Sequence, residues 1–287
     1  MFLFATVTDL SGRPWQARTR AASAEGAVVV TGTGRGARLA AAVAAVRPAS
    51  GAGLSVAAVD LASGETVSYG GRAFVTASVV KVDILAALLL GAQDAGREPT
   101  AQERSYAAAM IERSDNDAAS ALWDRIGRAA GLDAANARLG LTETTGGDGT
   151  LWGLTRTTAV DRLRLLRQVF GEDAERSELG EDARAYARGL MRRVVPDQAW
   201  GVPAVADPGT AWAVKNGWLP RDSTGLWVVH SVGCVTVGGR VCLMAVLSDG
   251  NASRARGVAL VERAAAAARS VWQECPAVGR ADGDGGP

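Results

Sequence analysis

Histidine occurs once in the 287 residues, at His230, and cysteine three times, at Cys234, Cys242 and Cys275. With a single imidazole and no Cys-x-x-Cys pair, neither a structural nor a catalytic zinc site is expected. An odd, sparse set of cysteines also argues against a disulfide framework. Cys234 and Cys242 flank Gly238-Gly239. A two-residue hairpin there sets Val235 opposite Cys242 and Leu243 opposite Cys234, so the thiols are offset and read as core residues. An excess of charge of either sign is missing too. Thirty-one basic residues face 30 acidic ones, a formal net charge of +1. That balance gives no electrostatic case for nucleic acid or an anionic membrane as partner. Long apolar runs are absent as well: stretches such as Ile84 to Leu90 are too short to span a bilayer. The opening, MFLFATVTDLSGRPW, lacks a basic first segment and a long apolar one. No export signal is read there, and the chain as written is expected in the cytoplasm.

What is present is ordinary for a globular chain: 48% hydrophobic and 21% charged residues. The length suits one large domain or two intimate lobes. Residues 1–34 show no period and read as a loosely held leader. Arg35 to Arg47 carries Leu39, Val43 and Val46 at helical spacing and stops at Pro48. Leu54 to Leu61 and Thr66 to Tyr69 read as strands about a turn. The middle is helical: Val79 to Leu90, Thr100 to Glu112 with Thr100 as cap, Asp117 to Ile126, Thr158 to Phe170 and Glu181 to Arg193. Between them, Leu141 to Leu154 is rich in Gly and Thr and reads as a functional or surface loop. Strands return at Thr210 to Asn216, Gly225 to Val237 and Arg240 to Ser248, and a last helix covers Arg254 to Trp272. The tail, 274–287, is expected to be disordered. This order predicts an α+β fold: an antiparallel five-stranded sheet covered by N- and C-terminal helices, with an inserted all-α lobe. The sheet lobe is read as 35–77 and 206–273, the helical lobe as 78–205.

Three short motifs could carry chemistry. Ser78-Val-Val-Lys81 opens the most apolar helix of the chain. An ammonium on a buried helix loses solvation and must be paired or have a lowered pKa. Ser78 lies one turn earlier on the same face, where such a lysine can accept its proton and create a nucleophile. The bland alternative is a lysine reaching solvent at the helix end. Asp83, two residues on, reads as structural. Ser114-Asp115-Asn116 stands between two helices, where a helix cap is the bland reading. The functional one makes Ser114 a proton relay and Asn116 a substrate ligand. Lys215-Asn216-Gly217 ends a strand. It is either an exposed lysine or a cation lining a cleft, with Gly217 letting the substrate backbone approach the strand closely.

In this order, on helix start, interhelical loop and late strand, the motifs resemble the serine β-lactamase and penicillin-binding-protein superfamily, over roughly residues 36–273. The resemblance implies an acyl-enzyme on Ser78 and a base or proton shuttle at Lys81. It implies proton transfer through Ser114 and Lys215 to a leaving nitrogen, and substrate contacts from Asn116, Asn216, Gly217 and Trp218. It further implies an oxyanion hole from the N–H of Ser78 and that of Trp218 or Leu219. No cofactor is implied; the partner is a small-molecule or peptide substrate, and the family usually works outside the cytoplasm. A Ser-His-Asp triad would require His230, in the middle of a strand.

The chain also departs from that pattern. The Glu-x-x-Leu-Asn signature of class A β-lactamases, whose glutamate activates the deacylating water, is missing from Leu141 to Leu154. Glu143 and Asp148 are the only acids there. Asn216 stands where Thr or Ser is usual, and Ser114 follows Ser78 by only 36 residues. The departures favour slow hydrolysis or transfer of the acyl group to another nucleophile. True β-lactam hydrolysis with a relocated base, and a non-catalytic binding protein on the same fold, are the alternatives.

Overall fold

The computed structural model describes residues 34–46, 51–172 and 176–272. The leader before Gly34, the tail and Cys275 lie outside them.

Helix α1 (Gly34–Val46) precedes two strands, β1 (Gly53–Asp60) and β2 (Thr66–Tyr69). A short strand β3 (Phe74–Val75) leads through a 3-10 turn, Ala77–Val80, into α2 (Lys81–Asp94). Helices α3 (Ala101–Glu112), α4 (Asn116–Arg125) and α5 (Arg128–Arg138) follow. Then come strand β4 (Arg156–Thr157) and helices α6 (Ala159–Phe170) and α7 (Glu181–Arg192). Strands β5 (Ala213–Arg221), β6 (Leu226–Val237) and β7 (Arg240–Asn251) and helix α8 (Arg254–Ser270) are the last described elements.

The main sheet has the order β2-β1-β7-β6-β5, with every neighbouring pair antiparallel. It is apolar on both faces, which explains why β1 reads as a continuous hydrophobic run rather than an alternation. Val56 and Ala58 turn toward Leu39 and Val43 of α1 and Leu260 and Val261 of α8. Ala57 and Val59 turn the other way, into a cluster built by α2 and the helices around it. Helix α2 is buried on all sides, as its composition requires. The α+β architecture expected from the sequence is therefore present, with five antiparallel strands and helices from both ends of the chain on one face.

Local chemistry sets several boundaries. Thr100 and Glu103 form a reciprocal capping box at the start of α3. The β6–β7 hairpin pairs Val235 with Cys242 and Cys234 with Leu243, and both cysteines are free. Three features differ from the sequence reading. Helix α5 was not expected, because it opens at a left-handed Gly127 and buries only Leu132, Ala135 and Asn136. Strands β3 and β4 are too short to carry a period. Strand β5 runs on past Gly217 to Arg221. It can include Pro220 because it is an edge strand, where a residue without an N–H is tolerated on the unpaired side.

Candidate active site

Strand β5, the turn at the head of α2 and the start of α4 meet at one place. Ser78 sits half-buried in the Ala77–Val80 turn. Ala77 before it has φ of 46° and Ser114 across from it has φ of 57°, both left-handed and costly for non-glycine residues. Gly217 brings β5 against this turn: a Cβ there would stand 2.8 Å from the backbone nitrogens of both Ser78 and Val79. The backbone that comes close at Gly217 is the protein's own turn, where a substrate backbone was expected.

The two motif lysines converge on Ser114. Lys81 Nζ donates to Ser114 O at 2.6 Å, to Ser114 Oγ at 3.2 Å and to Asn116 Oδ1 at 2.7 Å. Lys215 Nζ donates to Ser114 Oγ at 3.0 Å and to Asn216 O at 3.0 Å. Lys81 thus sends its nitrogen to the Ser114–Asn116 turn rather than to the Ser78 hydroxyl one helical turn away. Both lysines are buried, at 0% and 1% exposure, and among the described residues their ammonium groups bond to Ser114, Asn116 Oδ1 and Asn216 O rather than to a carboxylate. Burial brings the Lys81 pKa down to about 7, partly opposed by the Asp115 charge. Burial, and then the Lys81 charge, hold Lys215 well below the usual lysine range. Asp115 itself caps α4, accepting from the Ala118 N–H at 2.7 Å.

A cleft of about 520 Å³ opens in front of Ser78, between Thr150–Leu154 and Trp218–Ser223. The Trp152 ring lies 4.9 Å from Lys81 Nζ, and its Nε1 donates to Ser120 Oγ on α4 at 3.1 Å. Trp152 was not anticipated. Its trace in the sequence is a lone tryptophan in a Gly- and Thr-rich loop. Trp218 lies along the opposite wall, with the Arg254 guanidinium 4.0 Å above its ring. Because β5 pairs with β6 alone, its backbone groups alternate between the paired and the open side. Pro220 places its N on the open side. Trp218, two residues earlier, therefore directs its N–H to the open side as well, and Leu219 does not.

A model of a beta-lactamase enzyme family matches residues 96–273. The chain belongs to that family. The matched stretch holds Ser114, Asn116 and Lys215 and begins after Ser78 and Lys81. Two curated relatives carry the provisional name lipoprotein LppW, from Mycobacterium tuberculosis and Mycobacterium bovis. Each is 30% identical over 190 residues, which is 62% of this chain and 60% of the relative. Among solved structures, the TLA-1 extended-spectrum β-lactamase superposes with a TM-score of 0.72 at 13% identity. The match spans 82% of this chain and 98% of that one. A class A β-lactamase of Bacteroides cellulosilyticus gives 0.71 at 15% identity, over 84% and 99% of the two chains. These likenesses establish the β-lactamase fold.

Within that fold several anticipated residues stand elsewhere. Asn216 commits its amide to the carbonyls of Gln198 and Trp200, at 2.8 and 3.0 Å, and is buried away from the cleft. The substrate contact implied for Asn216 therefore has no free N–H to make it. Glu143 accepts from Thr158 Oγ1 at the start of α6, at 3.2 Å. Neither Glu143 nor Asp148 lines the cleft, where the 141–154 loop contributes Thr150, Leu151, Trp152, Gly153 and Leu154. His230 uses both ring nitrogens on backbone: Nε2 donates to Val75 O at 2.8 Å and Nδ1 accepts from Ser248 N at 3.1 Å. Burial lowers its pKa to about 4. With both ring nitrogens on backbone, it has none free to accept a serine proton in a triad. Among the described residues no group of three or more His, Cys, Asp or Glu could hold a metal ion. No described helix is long and apolar enough to cross a membrane.

Proposed function

We propose that this chain is a serine hydrolase or acyltransferase that forms an acyl-enzyme on Ser78 with an amide or ester substrate. The observation that carries the reading is the meeting of Lys81 and Lys215 at Ser114 Oγ, at 3.2 and 3.0 Å. Two buried ammoniums around one hydroxyl repel each other, so the pair favours losing a proton. Neutral Lys81 has two N–H bonds for Ser114 O and Asn116 Oδ1 and keeps a lone pair. That lone pair takes the Ser78 proton as Ser78 Oγ attacks the carbonyl. The negative oxygen that forms is received by the N–H groups of Ser78 and Trp218. Ser114, backed by Lys215, returns a proton to the leaving nitrogen. The Asn116 Nδ2 group, its Oδ1 held by Lys81, donates to the substrate.

Intact-mass spectrometry tests the reading. A fluorophosphonate or a penicillin adds one adduct to the wild type and none to Ser78→Ala. Equal adducts on both proteins would overturn it. A non-catalytic binding protein on this fold would show no adduct and unchanged ligand binding in Ser78→Ala.

Release of the acyl group favours slow hydrolysis over β-lactamase turnover. No acid of the 141–154 loop reaches the cleft, and the Trp152 ring covers the Lys81 side of the site. Opening that side to water by Trp152→Ala should speed loss of the adduct roughly 10-fold, the effect of about 1.4 kcal/mol on the barrier. Adduct lifetime by mass spectrometry, alongside steady-state nitrocefin turnover, measures it. An unchanged lifetime would remove Trp152 from the account.

A further inference from the structure

The walls of the cleft say more about the acyl group than the catalytic residues do. Apolar side chains flank Ser78 there, among them Leu151, Trp152, Leu154, Leu219 and Pro220, while the Trp218 ring packs on Trp200 and under Arg254. Leu151, at 54%, is the most exposed large hydrophobic side chain among the described residues. Charged walls appear at Arg221 and Asp222. Arg221 is four residues beyond Gly217, which places it about 13 Å along the strand from the Ser78 turn.

The backbone agrees with the side chains. The open side of β5 offers the Trp218 N–H beside Ser78, and the next open-side position is Pro220, which has none. A polar chain laid along β5 beyond the carbonyl would therefore lose the donor that strand pairing needs. The direction of the substrate also follows. The proton for the leaving group comes from Ser114, and Ser114, Lys81 and Lys215 do not line this cleft, whereas Ser78 and Asn116 do. The leaving group departs toward the lysines, and the acyl portion stays between the two walls.

We propose that Ser78 takes up an apolar acyl group, a hydrocarbon acyl ester or amide lying between Leu151–Leu154 and Leu219–Pro220. The inference rests on the Ser78 acyl-enzyme reading. In the test reaction the bond from Ser78 Oγ to the acyl carbon forms as the bond to the aryl oxygen of a p-nitrophenyl ester breaks. The Ser78 proton passes to neutral Lys81, and p-nitrophenolate leaves with the electron pair.

A series from acetyl to octanoyl p-nitrophenyl ester, followed by release of p-nitrophenolate and by mass on Ser78, checks the proposal. Acylation above the Ser78→Ala background is expected to rise roughly two- to fourfold per methylene, as apolar burial dictates. The increment should shrink in Leu151→Asn, an exposed change that leaves the fold intact. Equal rates from acetyl to octanoyl, or a faster reaction with an ester of a D-alanyl peptide, would overturn the apolar assignment. A fluorophosphonate adduct on Ser78 in that case would leave the acyl-enzyme reading standing. No adduct on Ser78 from any ester or from the fluorophosphonate would end both.

Discussion

Replacing Lys81 by methionine is expected to slow acylation of Ser78 by about 10²–10⁴-fold, the range of a lost general base. Methionine keeps much of the side-chain volume and removes the nitrogen. The effect should appear in the rate of adduct formation with a penicillin or fluorophosphonate. Thermal stability should change little: the lost hydrogen bonds to Ser114 O and Asn116 Oδ1 cost stability, and removing a buried amine offsets that cost. The pH dependence of the wild type gives an independent readout. Burial lowers Lys81 to about 7. Below that pH the amine is protonated and cannot accept the Ser78 proton; above it the amine is neutral and can. Acylation should therefore rise with pH through about 7 and then level, and the step should vanish in Lys81→Met. A wild-type profile flat from pH 5 to 9 would remove Lys81 as the base.

Much of this site was legible because the chemistry announces itself in residue type. Apart from Asp83, the helix Val79 to Leu90 offers Lys81 only apolar neighbours, so its burial and its lowered pKa could be reasoned from sequence. The sheet was legible for a similar reason: Gly238-Gly239 joins two long apolar strands, and their register follows from the turn. What sequence did not supply is contact between distant segments. Nothing near Lys81 in the chain indicates Trp152, whose ring reaches it from 71 positions away. Asn216 looked like a ligand for substrate because its two amide partners, Gln198 O and Trp200 O, are main-chain carbonyls that no motif records. Helix α5 was hidden by Gly131 and its five alanines, since a helix that buries so few large side chains has almost no apolar stripe. Asp83 was read as structural, and so the structure has it, but its partner lies 79 residues away on α6.

That partner makes the second large effect. Asp83 and Arg162 are 0% and 1% exposed, and the guanidinium grips both carboxylate oxygens, with Nη2 to Oδ1 at 2.7 Å. Arg162 Nη2 also reaches Thr144 Oγ1 at 3.2 Å, and Thr144 donates to Asp161 Oδ2 at 2.7 Å. The network thus ties α2, which carries Lys81, to α6 and to the 141–154 loop, which carries Trp152. Removing one member leaves the other charge buried and alone. Arg162→Met or Asp83→Leu by itself is therefore expected to cost about 3–5 kcal/mol in denaturant unfolding. The double change Asp83→Leu, Arg162→Met removes both charges and refills the volume with apolar atoms. It should recover most of that loss and can exceed the wild type, as replaced buried pairs often do. The cycle separates two roles for the pair. If it only balances charge, the double variant regains stability and keeps the acylation rate. If it also aligns α2, the double variant folds but acylates Ser78 more slowly, because Lys81 has shifted from Ser114. Single variants as stable as the wild type would contradict the burial and pairing of these two side chains.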